Sequence, residues 1–233
     1  MQGFGAALFS RRIDEQARPM VRTMWTIGIV LGILLTPGGG WADSWAGARP
    51  FQVFSESGKY FIRLIPGDSI GDTVGFYGAR KGKFAHALYY SLQANRSYKL
   101  LHEIRLQNPV APVDLLLSDL GYFIAFDNWH NLGYGKVAAI YAPTGKLVRS
   151  YELNQLFAAG RIEKIPTSVS SRHWRCQPVH FVEPKEQKSV YVPEVLGGYF
   201  VFTLATGEVV YTAGARKECV APPGPISQTR YGQ

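Results

Sequence analysis

Beyond residue 50 the chain is written in short apolar and aromatic runs, each closed by Gly, Pro, Asn or Asp. Runs of this kind, rich in Val, Ile, Tyr and Phe, read as strands, because branched and aromatic side chains pack well on a pleated, half-buried surface. The pattern predicts strands over residues 60–65, 84–91, 99–106, 113–117, 122–127, 137–141, 147–153, 179–182, 189–192, 199–204 and 208–212. Two of them, VAAIY and YFVFTL, are apolar at nearly every position, which predicts burial on both faces. One short helix is expected over 154–160, with Asn154 as the cap and Gly160 as the stop. A further turn is expected over 168–174. The predicted class is all-β with antiparallel sheets.

Two hairpins stand out. Ala142-Pro143-Thr144-Gly145 and Ala205-Thr206-Gly207 each separate two apolar runs. Gly accepts positive φ at the end of a type I turn and forms the bulge that closes the hairpin, and Pro143 presets φ at the first corner. A loose internal repeat accompanies them. Ser55-Glu-Ser-Gly58-Lys-Tyr60-Phe61 matches Ser118-Asp-Leu-Gly121-Tyr-Phe123, with a third copy at Val195-Leu-Gly197-Gly-Tyr199-Phe200. The copies lie further apart than the about 40–50 residues of a regular propeller blade.

These motifs, with the Thr-Gly-Lys-Leu-Val turn and the Tyr151-Glu-Leu153 that follows it, resemble blades of bacterial secreted β-propellers of the WD40-like and quinoprotein-like kind. The match is best over 117–153, one blade's worth. No Trp-Asp blade signature is present. The resemblance implies stacked antiparallel sheets and carries no catalytic residue over. Residues 43–221 would supply about three to four blades, whereas closed propellers use about four to eight. The expected architecture is a partial or small propeller-like fold, with a two-sheet sandwich as the alternative.

Composition narrows the class. Of 233 residues, 46% are hydrophobic and 18% charged, so the chain buries a sizeable core and is not disordered throughout. The formal charge is +8; residues 1–42 hold four Arg against Asp14 and Glu15, so +6 remains without them. The basic residues are dispersed and form no tract, so nucleic acid is not an expected partner. An anionic surface polymer fits the charge, as does another envelope protein.

The N-terminus has the layout of a secretory signal peptide. Arg22 precedes the apolar run 24–35, Pro37 and three Gly follow, and small residues stand at Gly40 and Ala42 and again at Ser44 and Ala46. Cleavage is expected after Ala42 or Ala46, giving a periplasmic or secreted protein. The run is short of the about 20 apolar residues of a comfortable span; an uncleaved membrane anchor is the rival reading. Met20 opens a more ordinary leader than Met1, and the natural start is expected there. Ser10-Arg11-Arg12 lies too far upstream to serve as a twin-arginine signal. The tail 222–233 has no core-forming pattern and is expected to be loose.

An even cysteine count in an exported chain predicts a disulfide, here Cys176 with Cys219. It would close a long loop and stabilise by about 3–4 kcal/mol. Two unrelated buried thiols remain the alternative.

Candidate chemistry concentrates in Asp127-Asn128-Trp129-His130-Asn131-Leu132-Gly133-Tyr134-Gly135, between two strong strands. Asp127, Asn128, Trp129, His130 and Tyr134 are the ligand-binding candidates, because loops held by a rigid sheet often carry binding residues. The competing reading is structural, with Asp and Asn capping turns, Trp129 packed over the sheet edge and the glycines allowing a tight reversal. No His pair has metal-ligand spacing, Gly-x-Ser-x-Gly is absent, and Gly133-Tyr-Gly135 lacks the third Gly and helix of a phosphate loop, so no metal or cofactor is expected. Asp114, Asp119 and Asp127 cluster in sequence as possible paired carboxylates. In His173-Trp174-Arg175-Cys176, Trp174 is expected to pack on the disulfide and Arg175 to stack on a ring or bind a carboxylate.

The leading functional expectation is an exported, non-enzymatic binding module. The alternatives are a hydrolase centred on Asp127 and His130, and a structural subunit that completes a propeller by self-association.

Overall fold

The computed structural model describes residues 46–68 and 82–214. The leader, residues 69–81, Cys219 and the C-terminal tail lie outside the described residues. The strands are β1 (Phe51–Phe54), β2 (Tyr60–Ile65), β3 (His86–Leu92), β4 (Tyr98–Arg105), β5 (Asp114–Leu117), β6 (Phe123–Phe126), β7 (Ala138–Tyr141), β8 (Leu147–Tyr151), β9 (His180–Phe181), β10 (Ser189–Pro193), β11 (Tyr199–Thr203) and β12 (Val209–Thr212). They form three antiparallel sheets, β1 to β4, β5 to β8 and β9 to β12, each with its four strands in sequence order. The chain is all-β, and a two-sheet sandwich would have one sheet fewer. Each predicted strand matches one of β2 to β12 within two residues. β1 escaped prediction because it is a brief edge strand after Pro50, with only Val53 buried.

The second sheet is the middle layer. Leu115, Leu117, Phe123, Ala125, Ala139 and Tyr141 on one face pack with Val53, Ile62, Leu64, Ala87 and Tyr89 of the first sheet. Ile124, Phe126, Ala138 and Ile140 on the other face pack with Val190, Val192, Phe200 and Phe202 of the third. All four residues of β6 and of β7 are therefore buried, which explains the unbroken apolar run of VAAIY. YFVFTL is different: Phe200 and Phe202 face the core, while Tyr199, Val201 and Thr203 stay half-exposed. The two most buried tyrosines satisfy their hydroxyls internally. Tyr89 donates to the Gly121 carbonyl (3.0 Å), and Tyr141 accepts from the Gln107 N–H (2.8 Å). Burial pushes both phenols above their ordinary pKa.

The first hairpin turns of the three sheets meet at one end. The Ser57 N–H and hydroxyl both donate to Asp119 Oδ1 (2.9 and 2.6 Å). The Asp119 N–H donates to Gln187 Oε1 (2.5 Å), and Gln187 Nε2 donates to Glu56 Oε2 (2.8 Å). This links first sheet to second, second to third, and third back to first. Burial, the largest single influence, pushes the Asp119 pKa up, but the Ser57 and Ser55 hydrogen bonds and the Lys59 charge together outweigh it and hold the carboxyl below its ordinary value.

The expected helix is one turn, α1 (Leu153–Leu156), followed by a 3-10 turn at Ile162–Lys164. It starts one residue before the expected Asn154 cap, because Gln155 Oε1 accepts from the Glu152 N–H (2.8 Å) and ties the chain there. Within the segment 168–174, Arg172 forms an isolated bridge with Thr167 just ahead of it.

The three-copy repeat is a repeat of turns, not of sheet positions. Ser55 and Ser118 open the turn between first and second strands, whereas the third copy falls between the second and third strands, β10 and β11. Four turns share one pair of bonds. Gln93, Ser118, Ala142 and Glu194 each donate from N–H four residues on, and each carbonyl accepts from the N–H three residues on. The fourth residue sits at positive φ in all of them: Arg96 at 64°, Gly121 at 86°, Gly145 at 78° and Gly197 at 94°. Arg96 thus stands where the other turns use Gly, and its Cβ meets the left-handed penalty of about 1–2 kcal/mol. The third strand-to-strand hairpin was hidden from the sequence for that reason. Arg96→Gly is expected to stabilise the protein by about 0.5–1 kcal/mol, the relief being partly offset by a freer unfolded chain. Gly145→Ala should destabilise it by about 1 kcal/mol or more. Paired urea melts that show no difference in sign would reject this account of the turn.

Candidate functional site

Asp127 follows β6 directly and opens the loop to β7. It is 1% exposed and sits at φ 59°, a left-handed conformation that Asp tolerates better than most residues. Its N–H donates to the Val137 carbonyl (2.9 Å), closing the loop's base. Oδ1 accepts from the Gly133 N–H (3.1 Å) and from Trp174 Nε1 (2.7 Å), and Oδ2 accepts from Arg175 Nε (2.7 Å). Gly133, at φ 72°, is needed because a Cβ there would lie 2.5 Å from the Arg172 carbonyl oxygen.

The rest of the loop is held from within and below. Asn128 Nδ2 donates to the Tyr134 carbonyl (2.7 Å). Trp129 is buried, its indole N–H donating to the Ala46 carbonyl (2.8 Å) and its own N–H to Ala111 (2.9 Å). Asn131 Nδ2 reaches the Ser170 carbonyl (3.3 Å). Tyr134 lies under the Arg172 guanidinium, 5.3 Å from ring centre to Cζ. His130 sits at φ 71°, and burial pulls its pKa below the ordinary histidine value. The structure therefore brings the five sequence candidates together as one folded loop, with Asp127, Asn128 and Trp129 turned inward.

Arg175 is the cation this site is built on. Its side chain is 5% exposed and stands between two carboxylates, Asp127 at 2.7 Å and Asp114 at 3.4 Å. The guanidinium also lies over the Phe126 ring, at 5.0 Å. Burial alone would loosen its proton; Asp127, and then Asp114, outweigh that and raise its pKa above the ordinary arginine value. Its backbone lies along the third sheet: the Cys176 N–H donates to Pro193 (2.8 Å) and the Val195 N–H to Trp174 (3.1 Å). Trp174 is fully buried against Phe157 and Phe200, at 6.3 and 6.1 Å between ring centres. Segment 174–176 thus docks its backbone on the third sheet and brings the Trp174 indole N–H and the Arg175 guanidinium to Asp127 at the end of β6.

The arrangement suits support better than catalysis. Both Asp127 oxygens are taken and excluded from water, so it is not placed to act as a base. Asp114 and Asp127 share one end of the second sheet and one cation, whereas Asp119 lies at the other end, about 13 Å or more away by strand rise. Among the described residues, no group of three His, Cys, Asp or Glu is placed to hold a metal. An open groove of about 500 Å³ is lined by Arg149, Tyr151, Gln155, Glu208, Val209 and Val210, and by none of the five candidates.

Two further carboxylates repeat the Asp127 device and were missed in the sequence. Each opens the connection between its sheet's second and third strands. Asp68 donates its N–H to Lys83 (3.0 Å) and accepts the Lys83 N–H at Oδ2 (3.2 Å). Glu194 donates its N–H to Gly198 (2.9 Å) and accepts the Gly198 N–H at Oε1 (2.7 Å), with the Leu196 N–H on Oε2. The Glu194 side chain is 0% exposed, paired with Arg161 at 3.1 Å and with the Tyr211 hydroxyl at 3.1 Å. The available signal was a lone acid inside the apolar stretch VYVPEVLGGYF, since a buried carboxylate needs donors.

No protein-family model and no curated protein matches the chain.

Removing the Asp127 charge leaves Arg175 buried with Asp114 alone. Asp127→Asn is expected to cost about 3–5 kcal/mol, read as a lower urea midpoint with unchanged slope. A loss below about 1 kcal/mol would show that Asp114 suffices. His130 makes a separate prediction about pH. Its folded pKa lies below its unfolded value of about 6.5, so the unfolded chain binds more protons below that pH. Stability is full above about pH 6.5 and falls as the pH drops toward the folded pKa. His130→Asn, which keeps a residue tolerant of positive φ, should flatten the melting-temperature profile across that window.

Proposed function

We propose that this chain is an exported, non-enzymatic binding module of the bacterial envelope, built on propeller-like sheets and stabilised by a Cys176–Cys219 disulfide. The observation that supports it most directly is the use made of the polar loop. Asp127, on which the hydrolase alternative was centred together with His130, is used with Asp114, Arg175 and Trp174 to hold two sheets together. Cys176 is buried, as a structural cysteine would be. The signal-like layout ahead of Asp43 supports export. The positive charge supports an anionic surface polymer as partner, with another envelope protein as the second kind, through long-range attraction that salt screens.

Intact mass of the protein recovered from the envelope fraction, with and without reductant and a thiol-alkylating reagent, tests export and the bridge together. The expected result is a mass beginning near Asp43 or Gly47, with both cysteines blocked until reduced. The same material should bind an anionic polymer in a way that added salt reverses. A full-length chain with two alkylatable thiols would reject the proposal and return the apolar run 24–35 to the role of an anchor.

A further inference from the structure

The solvent faces of the first and third sheets carry apolar rows, among them Phe54, Phe61, Tyr90 and Leu100 on the first and Val201 and Val210 on the third. A face of that kind accepts any apolar surface and names no partner. An unpaired strand edge is more selective, because only another extended backbone matches its alternating N–H and C=O groups. The inner edges offer little: β1 lies against β5, and β9 has two residues. Of the outer edges, β4 carries Lys99, Glu103 and Arg105, and β8 carries Arg149; the pairing of each with its neighbour also shifts register. Charges and bulges of this sort keep an edge from being extended. The outer edge β12, Val209-Val-Tyr-Thr212, has no charge, no Pro and no register shift.

We propose that the free edge of β12 is a strand-addition site, which takes an extended, Pro-free segment of another envelope protein as a further strand of the third sheet. This deepens the binding-module reading, on which it rests, by naming how a protein partner is held.

Three observations carry it. First, the backbone is aimed outward. The Thr203 N–H donates to the Glu208 carbonyl (2.8 Å), and the register runs on through Val201 with Val210 and Tyr199 with Thr212. By the alternation of an antiparallel ladder, Val210 and Thr212 spend their backbone groups on β11, while Val209 and Tyr211 point theirs away from it. Among the described residues, none bonds those groups. Second, the open groove of about 500 Å³ runs past this backbone. It is lined by both Val209 and Val210, and neighbouring strand residues face opposite sides, so the groove reaches round the edge between them. Its far wall is β8, with the Arg149 guanidinium 5.2 Å from the Tyr151 ring centre and the Tyr151 hydroxyl tied to the Gly207 carbonyl. Third, the charges lining the groove balance, Arg149 against Glu208, which suits a polypeptide better than an anionic polymer. The β12 of a second copy suits it less well, because its Val209 packs on its own core and its Tyr211 hydroxyl is held by Glu194 (3.1 Å) and Arg161 (2.7 Å). A free segment pairing antiparallel has the side chains opposite Val209 and Tyr211 to send into the groove, and the Tyr151 and Val209 lining calls for apolar ones there.

The test follows amide exchange by NMR in the full chain as recovered from the cells that make it. The probe is a capped peptide of about nine residues in which Val and Thr alternate, with Lys at each end. In the free protein the Val210 and Thr212 amides should exchange slowly and those of Val209 and Tyr211 fast. The probe is expected to slow Val209 and Tyr211 by about 10-fold or more. Methylating the probe's Val nitrogens should weaken binding by about 10-fold, because these face β12; methylating its Thr nitrogens should change it by less than about 2-fold. Val209→Pro removes an outward N–H and leaves the β11 ladder, and should also weaken binding by about 10-fold. If circular dichroism shows this variant unfolded, the two methylated probes decide. Val209 and Tyr211 amides already slow in the free protein would mean that the chain itself or a second copy covers the edge, and would overturn the proposal. So would no binding at about 1 mM probe, binding that leaves these amides fast, or equal loss from both methylated probes. Any of these would leave salt-reversible binding to an anionic polymer, and with it the binding-module reading, standing. A full-length chain with two alkylatable thiols would reject that reading and leave the edge result in place.

Discussion

The buried guanidinium of Arg175 is the constraint on which the joint between the second and third sheets depends. A cation excluded from water must be paired and hydrogen-bonded, or its desolvation outweighs what its neighbours supply. Here Asp127, Asp114 and the Phe126 ring meet that requirement, and Trp174 adds a bond to the same Asp127 carboxylate. Because the backbone of 174–176 lies along the end of β10, satisfying the charge also fixes how one sheet sits on the next. The apolar contacts between these sheets are non-directional, and the ion pair supplies the orientation they lack.

The same economy of parts recurs at smaller scale. Asp68, Asp127 and Glu194 each open the connection between the second and third strands of their sheets, and each closes that connection by giving its N–H and taking one back. The connection lengths differ widely, from the tight Glu194 turn through the Asp127 loop to the longer stretch between Asp68 and Lys83, yet the carboxylate does the same job in each. At the other end of the sheets, Asp119 and Gln187 tie the three first turns into one hydrogen-bonded circuit. Polar side chains hold both ends of the layers, and apolar ones fill what lies between.

That division bears on function. Residues that look chemical in the sequence are turned inward to hold the loop, while the rows facing outward on the first and third sheets are aromatic and aliphatic.

The sequence by itself determined every strand but β1, the antiparallel class of the sheets and most of the turns. These are local properties: branched and aromatic runs favour extended backbone, and Gly145 or Gly207 marks a turn because few other residues accept positive φ. Arg96 escaped notice at the same kind of position because an Arg carries no such mark. The polar loop after β6 was visible for a related reason, being a polar interruption between two buried strands. What only the tertiary structure decided was the partner of each buried charge. Asp127 meets Arg175 across 48 residues of chain and Glu194 meets Arg161 across 33, and nothing local to any of them selects the other. A charged residue in a sequence looks solvent-facing until a second charge is folded against it. The meaning of Asp127, a support for two sheets where the sequence suggested a possible catalyst, therefore came from the packing of one sheet on another.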